Sequence, residues 1–326
     1  MAVPNTRDVV MVDGAGKRFG SLTALSDIEL TVPSGSILGV IGPSGAGKTT
    51  LIRLLTGALA ASSGTIRVLG EDPRRFRRRT REQIGYMPQQ FTLYDDLTAG
   101  ENIDFVAGLF GMLWFRRRRR VAEVLKLTEL WDARGRRAAD LSGGMQRRLE
   151  LACALVHEPA LFFLDEPTAG IDPLLRGRIW EELHRLKDEG RTLLVTTQYV
   201  NEAEECDRVA FIADGRLIAL EAPDALRRLA IGGDVIEVQV VRAFDAEGLL
   251  KHDDVRSIDQ HGPRTFHVTV DDASTALPEI DDRVIELGGE FESAREYRPS
   301  FDEVFAALVE RDARERQASA ADGAAA

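Results

Sequence analysis

Residues 42–49 form a glycine-rich segment that could bind phosphate. They read Gly-Pro-Ser-Gly-Ala-Gly-Lys-Thr and match the pattern G-x-x-x-x-G-K-[ST], between a predicted strand at 37–41 and a predicted helix from 48 to about 55. The glycines let backbone N–H groups converge on a phosphate, and the helix N-terminus adds a favourable dipole. We expect Lys48 to contact the β and γ phosphates of a nucleotide and the Thr49 hydroxyl to bind Mg²⁺. The alternative is a glycine-rich turn followed by a lysine that binds no ligand.

Two adjacent carboxylates, Asp165 and Glu166, follow a second apolar strand predicted at 161–164. Ligands of open α/β sheets bind at the carboxyl ends of the strands. Asp165 would hold Mg²⁺ through water, and Glu166 would act as the general base that polarises the attacking water if a γ-phosphate lies nearby. Such a pair alone is also typical of a solvated loop, so its interpretation depends on the upstream phosphate segment.

A second candidate phosphate site lies at residues 141–146, Leu-Ser-Gly-Gly-Met-Gln. Ser142 falls at a helix N-cap position, and its hydroxyl, the bare N–H groups and the small glycines suit a phosphate. One nucleotide cannot occupy two such sites in one protomer, so this site is predicted to face a second molecule. The alternative is an N-cap with a flexible turn and no ligand.

The elements that must position these residues alternate between strands and helices. This pattern predicts an α/β domain over residues 1–221 with a largely parallel sheet and a helical subdomain at about 90–157. Helices are predicted at about 101–130, 143–156 and 174–189. Asp214-Gly215 lies between two apolar runs and predicts a hairpin that closes the domain.

A second, smaller domain is predicted beyond a linker at residues 222–233, which contains a short helix at about 223–230 followed by Gly232-Gly233. Residues 234–312 show the order strand, helix, strand, strand, helix, strand, which predicts a small α+β unit of ferredoxin-like type. Ser300 with Glu303 three residues on predicts a capping box and a last helix that ends near Arg311. The tail at 313–326 is expected to be disordered.

Composition limits the function classes. The net charge of −11 argues against nucleic acid as a partner. No apolar run approaches the roughly 18 residues that a membrane span needs, so a membrane role requires a separate partner. Two cysteines cannot form a disulfide framework, and the N-terminus lacks a signal-peptide layout, which favours the cytoplasm.

Together these motifs resemble the ATP-binding subunit of ABC transporters over about residues 8–221. The resemblance adds a glutamine loop at residues 84–89 and a D-loop at 169–172. It implies ATP and Mg²⁺ as cofactors, metal contacts from Thr49, Gln89 and Asp165, and catalytic roles for Lys48, Glu166 and Gln198. The nucleotide contacts that it implies are Phe19, stacked on adenine, then Gly42, Ser44, Gly45, Ala46, Gly47, Lys48, Thr49, Thr50, Gln89, Ser142, Gly143, Gly144, Gln146 and Asp172.

Gln198 departs from the family pattern. Residues 196–199 read Thr-Thr-Gln-Tyr, and the family's switch histidine is replaced by glutamine. An amide can donate to a γ-phosphate, but it has no charge and does not titrate near pH 7. We expect hydrolysis to persist, slower or differently gated. This four-residue sequence resembles that of drug-resistance exporters of the daunorubicin type. The alternative is a scaffold that binds ATP without turnover, but the presence of Lys48, Asp165 and Glu166 argues against it.

The resemblance implies a head-to-tail homodimer that drives a separate transmembrane permease from the cytoplasmic face of the membrane. Residues 299–305, Pro-Ser-Phe-Asp-Glu-Val-Phe, are similar to the terminal element of bacterial export ATPases and favour export, although the same spacing fits an ordinary packed helix. The arginines at 116–120 could meet anionic lipid or the permease, or form a solvated helix face. A non-transport ABC ATPase, such as an assembly factor, remains the alternative function.

Overall fold

In the computed structural model the chain divides into two units, Met1–Leu220 and Glu221–Ala326. The structure describes residues 8–90 and 92–325, with side chains described up to residue 317. Each unit has its own sheet and buried core.

A three-stranded antiparallel sheet begins the first unit. Its strands are β1 (Asp8–Phe19), β2 (Leu22–Pro33) and β4 (Ser63–Val68), in the order β2-β1-β4. Along β2 the apolar residues Ile28, Leu30 and Val32 are buried while their neighbours face outward, as the two-residue period of a strand requires. Local pattern predicted strands here, but it did not separate them from the main sheet.

The central sheet has six strands and confirms the α/β class. They are β3 (Ile37–Ile41), β5 (Ile84–Met87), β6 (Leu161–Asp165), β7 (Thr192–Thr197), β8 (Arg208–Ala213) and β9 (Arg216–Glu221), in the order β5-β6-β7-β3-β8-β9. From β5 to β8 neighbouring strands run parallel. β3, β6 and β7 are buried along their whole length, which is typical of a parallel sheet covered on both faces.

The helices of the first unit are α1 (Lys48–Leu55), α2 (Arg78–Arg81), α3 (Ala99–Leu109), α4 (Trp114–Leu127), α5 (Gly143–Leu155) and α6 (Pro173–Asp188). α3, α4 and α5 occupy the stretch predicted as a helical subdomain. The single helical region expected at 101–130 is two helices, because the chain turns at Gly111, whose φ of +70° ends the first.

Strand order places three motifs at one edge of the central sheet. β6, β7 and β3 are adjacent and parallel, so their carboxyl ends meet at the same edge. The glycine-rich segment follows β3, the acidic pair ends β6, and Gln198 follows β7. The crevice at this edge is where open α/β sheets bind ligands.

The second unit contains a four-stranded antiparallel sheet. Its elements are α7 (Pro223–Ile231), β10 (Asp234–Val240), β11 (Val255–Gln260), β12 (Thr265–Val270), α8 (Ala273–Ala276), α9 (Ile280–Glu286), β13 (Phe291–Tyr297) and α10 (Phe301–Ala325). The order β11-β12-β10-β13 is that of the predicted ferredoxin-like unit. The first crossover is a 3₁₀ helix, Ala246–Lys251, in place of an α-helix.

The structure confirms a helix expected in this unit and differs from one other expectation. α7 matches the short helix expected at about 223–230; it buries Leu226 and places the Arg227 guanidinium 4.2 Å from the ring centroid of Phe301. α10 opens with the predicted capping box, since Ser300 and Glu303 exchange hydrogen bonds, but it continues through the tail expected to be disordered. Ion pairs between side chains four residues apart, such as Arg311–Glu315, support the described part of this helix.

Among the helices of residues 8–90 and 92–325, none is both long enough and apolar enough to cross a membrane.

Candidate nucleotide-binding site

Two glycines allow the loop between β3 and α1 to take its shape. A Cβ at Gly42 would lie 2.0 Å from the Ile212 carbonyl oxygen of β8, so no larger residue fits there. Gly47, which directly precedes α1, has φ +107°, a conformation that other residues rarely adopt. The phosphate-loop pattern thus has a steric reason at these two positions.

Lys48, the first residue of α1, is 5 % exposed. Its ammonium donates to the carbonyl oxygens of Gly42 at 2.7 Å and Pro43 at 3.0 Å. Burial lowers the pKa of Lys48, and the nearby carboxylates of Glu166 and Asp165 oppose that shift. Hydrogen bonds to neutral carbonyls leave the positive charge available to an anionic phosphate.

The three expected magnesium contacts present oxygen atoms. The Thr49 hydroxyl donates to Gln89 Oε1 at 3.2 Å. Asp165 is fully buried; its Oδ1 accepts a hydrogen bond from the Thr196 hydroxyl, and its Oδ2 has no hydrogen-bond partner within the described part of the chain. A buried carboxylate oxygen without a partner calls for an ion or water. Oxygen ligands of this kind fit Mg²⁺.

Glu166 has a left-handed backbone, with φ +55°. Its N–H donates to the hydroxyl oxygen and to the carbonyl oxygen of Thr196, at 3.0 and 3.1 Å. Backbone strain of this kind persists where surrounding contacts hold it, often at functional sites. The two adjacent carboxylates are thereby separated: Asp165 points into the buried sheet edge, whereas Glu166 lines an open cleft.

That cleft brings most of the expected nucleotide contacts together. Phe19 is 46 % exposed, and the Lys17 ammonium lies 5.0 Å from its ring centroid. A flat exposed ring beside the phosphate loop suits an adenine base. The cleft is lined by Phe19, Leu22, Thr23, Ala24, Ser44, Gly45, Ala46, Gly47, Lys48, Thr49, Thr50, Gln89, Glu166, Asp214 and Gly215.

The structure does not bring the signature, the D-loop or Gln198 into this lining. Ser142 caps α5 and accepts from the Met145 N–H at 3.4 Å, and Asp172 caps α6 and accepts from Leu175 N–H at 3.1 Å. The signature and the D-loop lie close together: a Cβ added to Gly144 would be 3.5 Å from the Gly170 carbonyl oxygen.

Two residues of the signature helix, Gln146 and Arg147, make contacts that the signature motif alone did not predict. The Gln146 amide donates to the Ala138 carbonyl at 3.0 Å, so this side chain has a structural role within its own protomer. Arg147 is 8 % exposed and hydrogen-bonds to backbone carbonyls of the glutamine loop and of the acidic pair. Sequence reasoning missed Arg147, although its position four residues before the buried Leu151 placed a charge on the apolar face of the helix.

A phosphate loop after β3 and an acidic pair at the end of β6, a parallel strand of the same sheet separated from β3 by β7, define a P-loop nucleoside triphosphatase. The family model described as ABC transporter matches residues 25–169. A daunorubicin resistance ATP-binding protein of Streptomyces coeruleorubidus is 38 % identical over 306 residues, covering 92 % of this chain and 94 % of that protein. A Nod factor export ATP-binding protein of Paraburkholderia xenovorans is 42 % identical over 227 residues, covering 69 % and 75 %.

Solved structures agree. An ATP-binding subunit of an ABC transporter matches with a TM-score of 0.63 and 27 % identity over 68 % of this chain and 92 % of that one. A dimeric, post-hydrolysis ATP-binding cassette with ADP and phosphate matches with a TM-score of 0.61 and 27 % identity, over 65 % and 98 %.

The chain belongs to the ABC transporter ATP-binding family: it is an ATP-hydrolysing subunit, the motor of an exporter. The comparisons give no support to a non-transport ATPase.

Proposed function

We propose that two copies of this chain close head to tail on two ATP molecules, each phosphate loop facing the other copy's signature. The observation that carries this is the division of phosphate-binding features within one protomer. Lys48 and Thr49 line the cleft, whereas the exposed Ser142 and Gly143 at the start of α5 lie outside it. A helix N-terminus with a serine cap is itself an anion site. A second molecule is required for both to contact one nucleotide.

Residue roles follow from the chemistry of the cleft. Lys48 binds the β and γ phosphates, Thr49, Gln89 and Asp165 hold Mg²⁺, and Glu166 polarises the attacking water. The metal, when bound, neutralises the charge that develops on the phosphates. Gln198, directly after β7, donates its amide to the γ-phosphate.

The dimer drives a separate transmembrane permease and lies on the cytoplasmic face of the membrane. A permease must supply the pathway because the chain's described helices cannot span the bilayer. The named relatives act in daunorubicin resistance and Nod factor export. These relatives support export of a drug, lipid or glycan conjugate by the transporter that this chain drives.

The test is Mg-ATP turnover of the wild type and of Glu166→Gln, with the oligomeric state of both recorded in ATP. The amide keeps the size of the side chain but cannot accept a proton from water. We expect kcat to fall by about 10²-fold or more, the usual contribution of a general base, and the variant to accumulate as an ATP-bound dimer.

The matched control is Glu181→Gln, the same chemical change at an exposed position of α6, which should leave turnover and oligomeric state unchanged. A Glu166→Gln variant that hydrolyses ATP like the wild type would remove Glu166 from the mechanism. A variant that stays monomeric in ATP would contradict the dimer.

A further inference from the structure

Arg147 is a charged side chain in the interior of the first unit. It lies one turn into α5, in the helix that begins with the signature glycines, and is 8 % exposed. A buried guanidinium is costly unless its N–H groups are satisfied. The partners that satisfy it therefore show what it does.

Those partners are backbone carbonyls at the ends of two neighbouring strands. Nη1 donates to Pro88 O at 2.5 Å and to Gln89 O at 3.1 Å, just after β5. Nε and Nη2 donate to Glu166 O at 3.2 and 2.9 Å, and Nη2 also bonds Asp165 O, where β6 ends. One side chain thus ties together the backbones of a magnesium contact and the general base.

Glu150, on the same face of α5 as Arg147, adds a further contact to the loop after β5. It is 3 % exposed, accepts from Arg147 Nη1 at 2.9 Å, and accepts from the Thr92 N–H at 3.1 Å. Burial raises the pKa of Glu150, and the Arg147 charge opposes the shift. The pair therefore holds the loop after β5 at two points, Arg147 at Gln89 and Glu150 at Thr92. The opposite charges of the two buried side chains compensate each other.

Since α5 begins at the signature, the element that would contact the partner's nucleotide is bonded to the protomer's own catalytic residues. Resting on the dimer proposed above, we propose that Arg147 is a positioning residue that couples the two ATP sites. When Ser142 and its neighbours engage the nucleotide of the partner, α5 shifts, and Arg147 moves the backbones of Gln89 and Glu166 with it. The rigid helix and the fixed fork of the guanidinium transmit the displacement.

Arg147→Lys tests this coupling. An ammonium keeps the charge but cannot span carbonyls on two strands. We expect kcat for ATP to fall by roughly tenfold to a hundredfold, the scale of a small misplacement at the site, with KM little changed because Lys48 and the phosphate loop are untouched. The Hill coefficient for ATP, above 1 in the wild type if the sites are coupled, should fall towards about 1.

Arg148→Lys is the matched control, one residue along the same helix. Within residues 8–90 and 92–325 its guanidinium contacts Thr128 O, at 3.5 Å, and Glu129, at 3.6 Å, and no backbone of the glutamine loop or acidic pair, so kcat and Hill coefficient should stay at wild-type values. Glu150→Gln, which keeps the size of the side chain while removing its charge, serves if Arg147→Lys fails to fold. It should lower the Hill coefficient as well.

A folded Arg147→Lys protein with wild-type kcat and Hill coefficient would overturn the proposal. A reduced kcat with an unchanged Hill coefficient would also overturn it, since Arg147 would then act only within its own site. If Arg147→Lys does not fold, either of these two results obtained with Glu150→Gln would overturn the proposal instead. A wild type that turns over ATP as a monomer would instead contradict the proposed dimer, which separates the two failures.

Discussion

Thr196 organises two carboxylates that are adjacent in sequence. Its hydroxyl donates to Asp165 Oδ1 and accepts from the Glu166 N–H. This contact keeps Asp165 in the buried sheet edge and supports the left-handed backbone that turns Glu166 into the cleft. Because Thr196 lies in β7, two residues before Gln198, the strand that carries the switch position also sets the acidic pair.

Gln198 should act as a hydrogen-bond donor whose state does not change with pH. Gln198→Ala is expected to lower kcat by on the order of 10²-fold, as loss of one donor to developing charge does in other enzymes. Gln198→His should keep turnover and add an inflection near pH 6.5, where imidazole titrates. The measurement is kcat from pH 5.5 to 8.5 for the three proteins. Superimposable profiles for the wild type and Gln198→His would remove residue 198 from the chemical step.

At the scale of elements, His157 joins three parts of the first unit just after the end of α5. Its Nε2 lies 3.2 Å from the Ile84 carbonyl oxygen at the start of β5, and its ring stacks on Phe110, which follows α3, with centroids 3.6 Å apart. Burial lowers the pKa of His157 to about 4, with the Ile84 hydrogen bond opposing the shift. The native state therefore holds this imidazole neutral.

This low pKa predicts that acid destabilises the first unit. Between about pH 6.5, the unfolded value, and the folded value of about 4, the unfolded chain binds more protons, so stability falls as pH falls through this window. From pH 7 to pH 5 the unfolding free energy should drop by about 2 kcal/mol more in the wild type than in His157→Phe. Denaturant unfolding at both pH values measures this, and equal drops in the two proteins would refute it.

At the scale of the whole molecule, the two units have separate cores. The expected phosphate and magnesium contacts all lie in the first unit, whereas Phe301, Val304 and Phe305 are buried in the second. The segment that resembles the terminal element of export ATPases thus has a packing role in its own unit. This role accounts for its apolar spacing.

Phe301→Ala should therefore damage the second unit without altering nucleotide binding. Phe301 is 1 % exposed beneath the Arg227 guanidinium, and its truncation should cost about 3–5 kcal/mol in the unfolding of that unit, with KM for ATP unchanged. Val309→Ala, at a site 40 % exposed, is the control and should cost less than about 0.5 kcal/mol. Calorimetry and ATP titration measure both effects. A large rise in KM with Phe301→Ala would show that ATP binding depends on the second unit.

The sequence by itself determined the parts of this protein whose chemistry depends on consecutive residues. A phosphate loop needs glycines, Lys48 and Thr49 in one short run, and the strand and helix that flank it have the predicted bounds, Ile37–Ile41 and Lys48–Leu55. The acidic pair and the capping box at Ser300 are local in the same way. Periodicity also predicted the order of strands and helices that makes the second unit ferredoxin-like.

Only the tertiary structure decided what depends on contacts between distant segments. Strand pairing set the first sheet apart, and packing of Arg227 on Phe301 drew α7 into the second unit. Tertiary packing also brought Phe19, at the end of β1, into the cleft that the phosphate loop lines. Arg147 shows the reason most clearly. Its partners include the backbone carbonyls of residues 88 and 166. Because every residue type has a backbone carbonyl, no pattern of residue types in the sequence could identify these partners.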